Sequence, residues 1–120
     1  MTSGRHEKGL RGERQAEGYL TEVCGMTCLN RRYRSQDGEI DLIMRDGEVL
    51  VFVEVKFRPG GRAGDGLLAV TSDKRRRMIH AALGYLAEMG DMARPVRFDV
   101  VEITRDGLRH LPNAFDGAQN

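Results

Sequence analysis

The sequence predicts an α/β fold in which helices flank one central mixed β-sheet, with the elements in the order α-β-β-β-α-β(-β). Three observations lead to this prediction. Apolar residues recur at helical spacing over residues 8–24 and 72–89, runs of strand length lie between and after these segments, and an Asp46-Gly47 pair marks a hairpin turn.

The two predicted helices each end close to a glycine. The first covers residues 8–24 and stops before Gly25, a residue type that favours helix termination. The second begins at an N-cap, Thr71 or Ser72, and continues to Met89. Their apolar stripes comprise Leu10, Ala16, Leu20, Val23 and Cys24 in the first helix, and Met78, Ile79, Ala82, Leu86 and Met89 in the second.

Strand propensity and turn residues predict the sheet. If Asp46 and Gly47 are the two loop residues of the hairpin, facing positions sum to 93, which puts Asp41 opposite Phe52. The glycine-rich segment 59–66 is expected to be a mobile loop. The predicted strands are residues 27–34, 39–45, 49–58 and 96–104, with a short extension at 108–111.

Length and composition indicate one soluble domain over residues 1–120, with flexible tails at 1–7 and 116–120. No apolar run approaches the roughly 18 residues that cross a bilayer, so we expect no membrane partner. The first residues lack the apolar stretch of a secretory signal, which favours a cytoplasmic protein. Cys24 and Cys28 are expected to be reduced packing residues.

The near-neutral net charge of +1 conceals alternating blocks of charge. Basic residues exceed acidic ones over residues 1–36 and 59–77, whereas acidic residues are in excess over 37–58 and 78–120. Neutrality is therefore a cancellation, and it does not exclude a nucleic-acid partner.

Three ionisable side chains are predicted to converge on one face of the hairpin. Glu54 and Lys56 project from the same face of their strand, and Asp41 is the diagonal neighbour of Glu54. Two carboxylates this close can bind one hard divalent cation. Glu13 lies within the apolar stripe of the first helix, where a carboxylate needs a metal, a cation or hydrogen-bond donors. The alternatives are a solvated Glu54–Lys56 salt pair and an arginine partner for Glu13.

Six short motifs occur along the chain in a characteristic order and spacing. They are Gly12-Glu13-x-x-Ala16, Gly38-Glu39-Ile40-Asp41-Leu42-Ile43, Val51-Phe52-Val53-Glu54-Val55-Lys56, Val70 to Lys74, Arg97 to Val101 and His110 to Phe115. In this order and spacing they resemble the bacterial YraN-like family, an uncharacterised group, over nearly the whole chain. That family is similar in turn to the restriction-endonuclease-like PD-(D/E)xK nucleases, particularly archaeal Holliday junction resolvases.

The resemblance implies a restriction-endonuclease-like fold and hydrolysis of phosphodiester bonds with Mg²⁺ or Mn²⁺. It assigns Asp41, Glu54 and Glu13 as metal-binding catalytic acids and Lys56 as the catalytic lysine. Glu39 belongs to the YraN-like motif without a clear counterpart in the nuclease motif, and it is an additional candidate metal ligand. A symmetric junction substrate would suit a homodimer. The alternatives are a non-catalytic nucleic-acid-binding module on the same fold and a scaffold protein that binds metal for stability.

A set of basic residues, which we call the basic track, is predicted to contact phosphates of nucleic acid, with DNA preferred over RNA. Four of these residues begin the second helix, where the macrodipole disfavours cations by about 0.3–1 kcal/mol each unless an anion compensates. A solvated charged turn is the alternative. The basic track comprises Arg31, Arg32, Arg34, Arg58, Arg62, Lys74, Arg75, Arg76 and Arg77.

Overall fold

A five-stranded mixed sheet forms the centre of the computed structural model, which describes residues 3–116. The elements are α1 (Ser3–Glu22), β1 (Thr27–Ser35), β2 (Gly38–Asp46), β3 (Val49–Arg58), α2 (Asp65–Leu68), α3 (Ser72–Met89), β4 (Val96–Thr104) and β5 (Gly107–Phe115). The strands lie in chain order, and every neighbouring pair is antiparallel except β3 and β4. A crossover containing α2 and α3 joins that parallel pair. The predicted α/β fold, a mixed sheet flanked by helices, is confirmed.

The two long helices cover opposite faces of the sheet, which explains why the central strand β3 is apolar on both sides. On the α3 face, the Phe52 ring stacks on Phe98 at 5.7 Å between centroids and meets Tyr85 edge-on at 6.0 Å. On the α1 face, Ala16 and Leu20 are fully buried against the sheet. Both cores lie next to the strand that carries Glu54.

The ends of the helices differ from the prediction. Helix α1 begins at Ser3 and ends at Glu22, so residues 3–7 of the expected tail are helical, and Val23 is 69% exposed rather than part of the stripe. Met89, which was predicted to belong to the apolar stripe, is the last residue of α3 and is 60% exposed. Positions 1, 2 and 117–120 of the predicted tails lie outside the described residues. Within the described chain, no helix is long and apolar enough to cross a membrane.

The predicted hairpin register was wrong by two residues. Facing positions of β2 and β3 sum to 95, as in Asp46 opposite Val49, so Gly47 and Glu48 form the loop. Gly47 has φ +62°, and a glycine at the first loop position is what a type II′ turn requires. An even shift leaves every side chain on its predicted face, so Asp41 and Glu54 stay on the same side of the sheet.

Two elements were missed or underestimated. The last two residues of the segment expected to be a mobile loop begin the short helix α2, and the final strand continues to Phe115 instead of ending at Leu111. The ring of Phe115 stacks on Phe98 at 5.0 Å, which gives the end of β5 an apolar anchor in the core. This burial explains why the strand extends beyond its predicted end.

Gly12 sets the distance between α1 and β3, and its replacement by alanine is expected to destabilise the fold. A Cβ at this position would lie 2.7 Å from Cβ of Phe57, a steric overlap that typically costs about 1–3 kcal/mol. Gly18 is the matched control, because a Cβ there meets only a side-chain oxygen of Glu22 at 3.7 Å. Gly18→Ala should therefore raise the free energy of unfolding by about 0.5–1 kcal/mol through helix propensity, and the melting temperature with it. Thermal unfolding of both variants checks this; a Gly12→Ala protein as stable as Gly18→Ala would contradict it.

Candidate active site

The candidate site lies where the pairing of β2 with β3 ends. The last paired residues are Leu42 and Val53, so Asp41 and Glu54 come next in the same register. If this register is continued by one step, they are direct neighbours, whereas the predicted register made them diagonal ones. At this point Oδ2 of Asp41 accepts a hydrogen bond from the Val55 amide at 2.7 Å, so a side chain of β2 takes the place of a backbone acceptor.

Glu54 is only 3% exposed, and the two oxygens of its carboxylate differ in their contacts. Its Oε2 lies 3.3 Å from Nζ of Lys56 and 3.2 Å from Nζ of Lys74. Its Oε1 is buried and has no hydrogen-bond partner. A buried carboxylate oxygen without a donor costs free energy, and such an oxygen is suited to accept a cation or a proton donor from a ligand.

The pKa values of two acids of the site, Asp41 and Glu13, are raised by burial and by neighbouring negative charge. Burial and the charge of Glu54 raise the pKa of Asp41 well above its usual value, although the Val55 amide acts in the opposite direction. Burial is also the main reason that the pKa of Glu13 is raised, with the charges of Glu39 and Glu54 contributing against the effect of Arg32. A cation bound between these acids would offset the free-energy cost of burying their negative charges and would reduce the repulsion between them.

The arginines of β1 pair with acids of the site and of α1. Nε of Arg32 donates to Oε1 of Glu13 at 2.9 Å, which confirms the arginine partner that the sequence left open for that glutamate. Nε of Arg34 donates to Oε2 of Glu39 at 2.6 Å. Nε and Nη2 of Arg31 bind both carboxylate oxygens of Glu17 at 2.7 Å, which lowers the pKa of Glu17.

The three-acid metal cluster expected from the sequence is absent from the described residues. Within them, no group of three or more histidine, cysteine, aspartate or glutamate side chains is arranged to hold a metal ion. Glu13 and Glu39 are engaged by arginines, whereas Asp41 and Glu54 remain adjacent acids facing two lysines. The candidate metal-binding pair is therefore Asp41 and Glu54.

The basic residues of α3 begin at the site and turn away from it. Lys74 reaches Glu54, and the Thr71 side chain caps the helix by accepting from the Lys74 amide at 3.2 Å. Asp73 lies beside them in the first turn. Nη2 of Arg76 and Nη2 of Arg77 lie 3.1 and 3.2 Å from its two carboxylate oxygens. Asp73 thus offsets part of the positive charge of this turn, a compensation that the sequence analysis did not identify.

The remaining members of the basic track, Arg75, Arg58 and Arg62, have different surroundings. Nε of Arg75 donates to the Val70 carbonyl at 3.0 Å, and its guanidinium lies 5.5 Å from the centre of the Phe115 ring. Arg58 and Arg62 are exposed, at the end of β3 and in the loop that follows it.

Glu102 is a buried residue of this region that the sequence analysis did not single out. It lies beside Lys56 in the parallel pairing and is fully buried. Its carboxylate accepts from the Gly64 amide at 2.8 Å and from the Gly66 amide at 2.7 Å, and so fixes the loop that carries α2. A Cβ at Gly66 would lie 3.0 Å from Cβ of Lys56, so the loop packs directly against the lysine. The signal in the sequence was an acid within the apolar run of β4.

Comparison with known proteins places these features in a family. The model of "Uncharacterised protein family UPF0102" matches residues 12–103. A UPF0102 protein from Geobacter metallireducens is 44% identical over 117 residues, covering 92% of this chain and 95% of that protein. A second, from Symbiobacterium thermophilum, is 50% identical over 112 residues, covering 89% and 94%. The range matched by the family model spans the positions of the candidate site, from Glu13 to Glu102, and the chain belongs to the UPF0102 family.

Proposed function

We propose that this protein is a cytoplasmic, metal-dependent nuclease that hydrolyses phosphodiester bonds in DNA, with branched or single-stranded DNA as its substrate. The observation that carries the proposal is the set of contacts made by the two carboxylate oxygens of Glu54. One of its oxygens is buried without a partner, the other is shared by two lysines, and Asp41 is adjacent in the register. Adjacent acids with lysines beside them also match the PD-(D/E)xK arrangement that the sequence resembles.

The donor set fits Mg²⁺ or Mn²⁺. Both are hard cations that prefer carboxylate oxygens, and Mg²⁺ is commonly held by one or two carboxylates, with water and substrate phosphate as its other ligands. Asp41 and Glu54 would be the protein ligands, so a third acid is not required. When bound, the metal supplies Lewis acidity toward the phosphate and lowers the pKa of a bound water.

The two lysines have separate roles in this proposal. Nζ of Lys56 is held against Glu54 on a central strand, and its side chain is 17% exposed. A cation fixed in this way stabilises negative charge that develops on the phosphate and orients the attacking water. Lys74 is on a helix and is 33% exposed, so it can leave Glu54 to contact a phosphate. Glu102 acts as a positioning residue, because it holds the loop that packs on Lys56.

The basic track provides contacts for the substrate backbone. Arg58, Arg62, Arg76 and Arg77 are exposed, and the ion pairs of the last two with Asp73 are on the surface. Surface ion pairs contribute about 0–1 kcal/mol, so a phosphate can replace the carboxylate at little cost. Such contacts give affinity without reading bases, which suits an enzyme that selects DNA by shape. A homodimer would let two sites act on a symmetric branched substrate.

The test is a panel of branched, duplex and single-stranded DNA incubated with the purified protein and Mg²⁺ or Mn²⁺. We expect metal-dependent cleavage that EDTA stops and that Glu54→Gln removes. Glu48→Gln is the matched control, because Glu48 is an exposed loop residue of the same hairpin. Equal cleavage by the wild type and Glu54→Gln would show that the activity does not come from this site.

A non-catalytic nucleic-acid-binding module is the second candidate. The arginines on Glu13 and Glu39 favour it, since both acids were expected to assist a metal. DNA binding that weakens steeply with salt, without cleavage of any substrate in the panel, would support this second candidate and exclude the first.

A further inference from the structure

A thiol, an imidazole and a carboxylate form a chain on the α1 side of the sheet, apart from the acids and lysines described above. Sγ of Cys24, just after α1, lies 3.9 Å from Nδ1 of His110 on β5. Nε2 of the same ring lies 2.7 Å from Oδ2 of Asp99 on β4. Three separate elements thus bring together the residue types that activate a nucleophilic thiol.

The Asp99 carboxylate fixes the orientation and tautomer of the His110 ring. Asp99 is fully buried, and burial opposes its ionisation, yet hydrogen bonds from His110, Arg97 and the Asn113 amide keep its pKa below the usual value. Nε and Nη2 of Arg97 hold its two oxygens at 2.9 and 3.0 Å, and the Asn113 amide donates to Oδ1 at 3.0 Å. An ionised carboxylate can only accept, so Nε2 of His110 carries the proton and donates it. Nδ1 of the neutral ring is then the acceptor that faces the thiol.

The surroundings of Cys24 combine access with polar contacts. Its side chain is partly exposed. The Tyr19 ring packs edge-on against His110 at 5.8 Å between centroids. A hydrogen bond with Cys24 is the main reason that the pKa of the Tyr19 hydroxyl is raised. Cys24 follows the carboxyl end of α1, where the macrodipole disfavours an anion, so the helix does not activate this thiol and His110 is the group placed to do so.

Cys28 provides an internal comparison four positions along the chain. Burial and the charge of Glu17 raise the pKa of its thiol. Its Sγ lies 3.8 Å from the Asn30 carbonyl, to which the thiol donates a weak hydrogen bond. A carbonyl oxygen cannot take part in proton transfer as an imidazole nitrogen can, so the two cysteines should differ in reactivity.

We propose that Cys24 is a nucleophilic thiol, activated by His110, that is modified by small electrophiles and specifically by hydrogen peroxide. His110 Nδ1 takes the thiol proton, which gives a thiolate and an imidazolium. The thiolate attacks one oxygen of the peroxide, the O–O bond breaks, and Cys24 becomes a sulfenic acid. The departing hydroxide takes the proton from the imidazolium and leaves as water, so sulfur is oxidised by two electrons and peroxide is reduced.

The test uses two single-cysteine proteins, Cys28→Ser to report on Cys24 and Cys24→Ser to report on Cys28. Alkylation with iodoacetamide at pH 7 should be at least about tenfold faster at Cys24 than at Cys28, and the two rates should become equal in urea. Brief exposure to hydrogen peroxide should block alkylation of Cys24 and leave Cys28 reactive. Adding His110→Gln to the Cys24 reporter should remove most of the rate advantage.

The outcomes against the proposal are equally definite. A native Cys24 that reacts no faster than the unfolded chain would overturn it, and so would a rate unchanged by His110→Gln in a folded protein. Because His110 contacts a buried network, that variant is first checked for a cooperative melting transition. If it does not fold, the comparison of native and unfolded Cys24 reporter decides alone. DNA cleavage is not the readout, so the result is independent of the proposed nuclease function.

Discussion

Replacing Asp41 with asparagine is expected to remove metal-dependent cleavage and, in the same protein, to raise the melting temperature. Cleavage falls because one of two metal-binding carboxylates is lost, a loss of about 3 kcal/mol or more, which corresponds to at least about a hundredfold in rate. Stability rises because the pKa of Asp41 is raised by burial and by Glu54, so its charge opposes folding. An asparagine oxygen can still accept from the Val55 amide. A gain of about 1 kcal/mol, or about 4 °C, is expected.

The stability difference between Asp41→Asn and the wild type should depend on pH, and the raised pKa of Asp41 fixes the direction of that dependence. A carboxyl whose folded pKa is raised contributes fully to stability below its unfolded pKa, and this contribution is lost as the pH rises through the folded value. The unfolded value here is near 3.8, so the advantage of Asp41→Asn should be smallest at pH 3.5 and should grow toward pH 7. Thermal melts across this range, without metal, measure it. Asp46→Asn is the control on the same strand, since Asp46 accepts from Arg97 and should not be stabilised by the change. A wild type more stable than Asp41→Asn at pH 7 would mean that the carboxylate is structural.

The hairpin shows how far a sequence pattern can specify a site. The Asp46-Gly47 pair correctly located the turn, and strand alternation correctly placed Asp41 and Glu54 on one face. The register was wrong because the pair does not say which of its residues enters the loop first, and only the backbone conformation of Gly47 decides that. The error was two residues, so it changed diagonal neighbours into direct ones and preserved the faces.

The contacts made by long charged side chains could not be predicted from the sequence. Arg32 has φ +51°, an irregularity that interrupts the alternation of β1, and its guanidinium then meets Glu13 on α1. Nothing in the spacing of Glu13 and Arg32 indicates that encounter, although an inward acid correctly predicted some partner. Lys74 was predicted to contact phosphates, but its contact with Glu54 depends on how the crossover returns α3 to the sheet. The sequence therefore identified the charged residues and left their pairing open.

Replacing Lys74 with methionine is expected to separate metal binding from DNA binding. Without DNA, the Lys74 ammonium lies 3.2 Å from Glu54, so it competes with a divalent cation for the same carboxylate. Its removal should tighten Mn²⁺ binding to the free protein by up to about fivefold, which corresponds to about 1 kcal/mol for one partly exposed ion pair. The same change removes a phosphate contact, so the slope of log affinity for DNA against log salt should become shallower by about 1.

If Lys74→Met strengthens Mn²⁺ binding and weakens DNA binding, Lys74 contacts Glu54 in the free protein and phosphate in the complex. A lysine that only stabilises the fold would not change the two affinities in opposite directions. Arg76→Met is the matched control, because Arg76 is in the same turn and pairs with Asp73 instead of Glu54. It should leave Mn²⁺ binding to the free protein unchanged, whatever it does to DNA binding. Calorimetric titration with Mn²⁺ and DNA binding at several salt concentrations provide both readouts. Weaker Mn²⁺ binding by Lys74→Met would contradict competition at Glu54. The expected pattern would mean that DNA draws Lys74 from Glu54, so the oxygen it releases becomes available to the metal when a substrate phosphate is present.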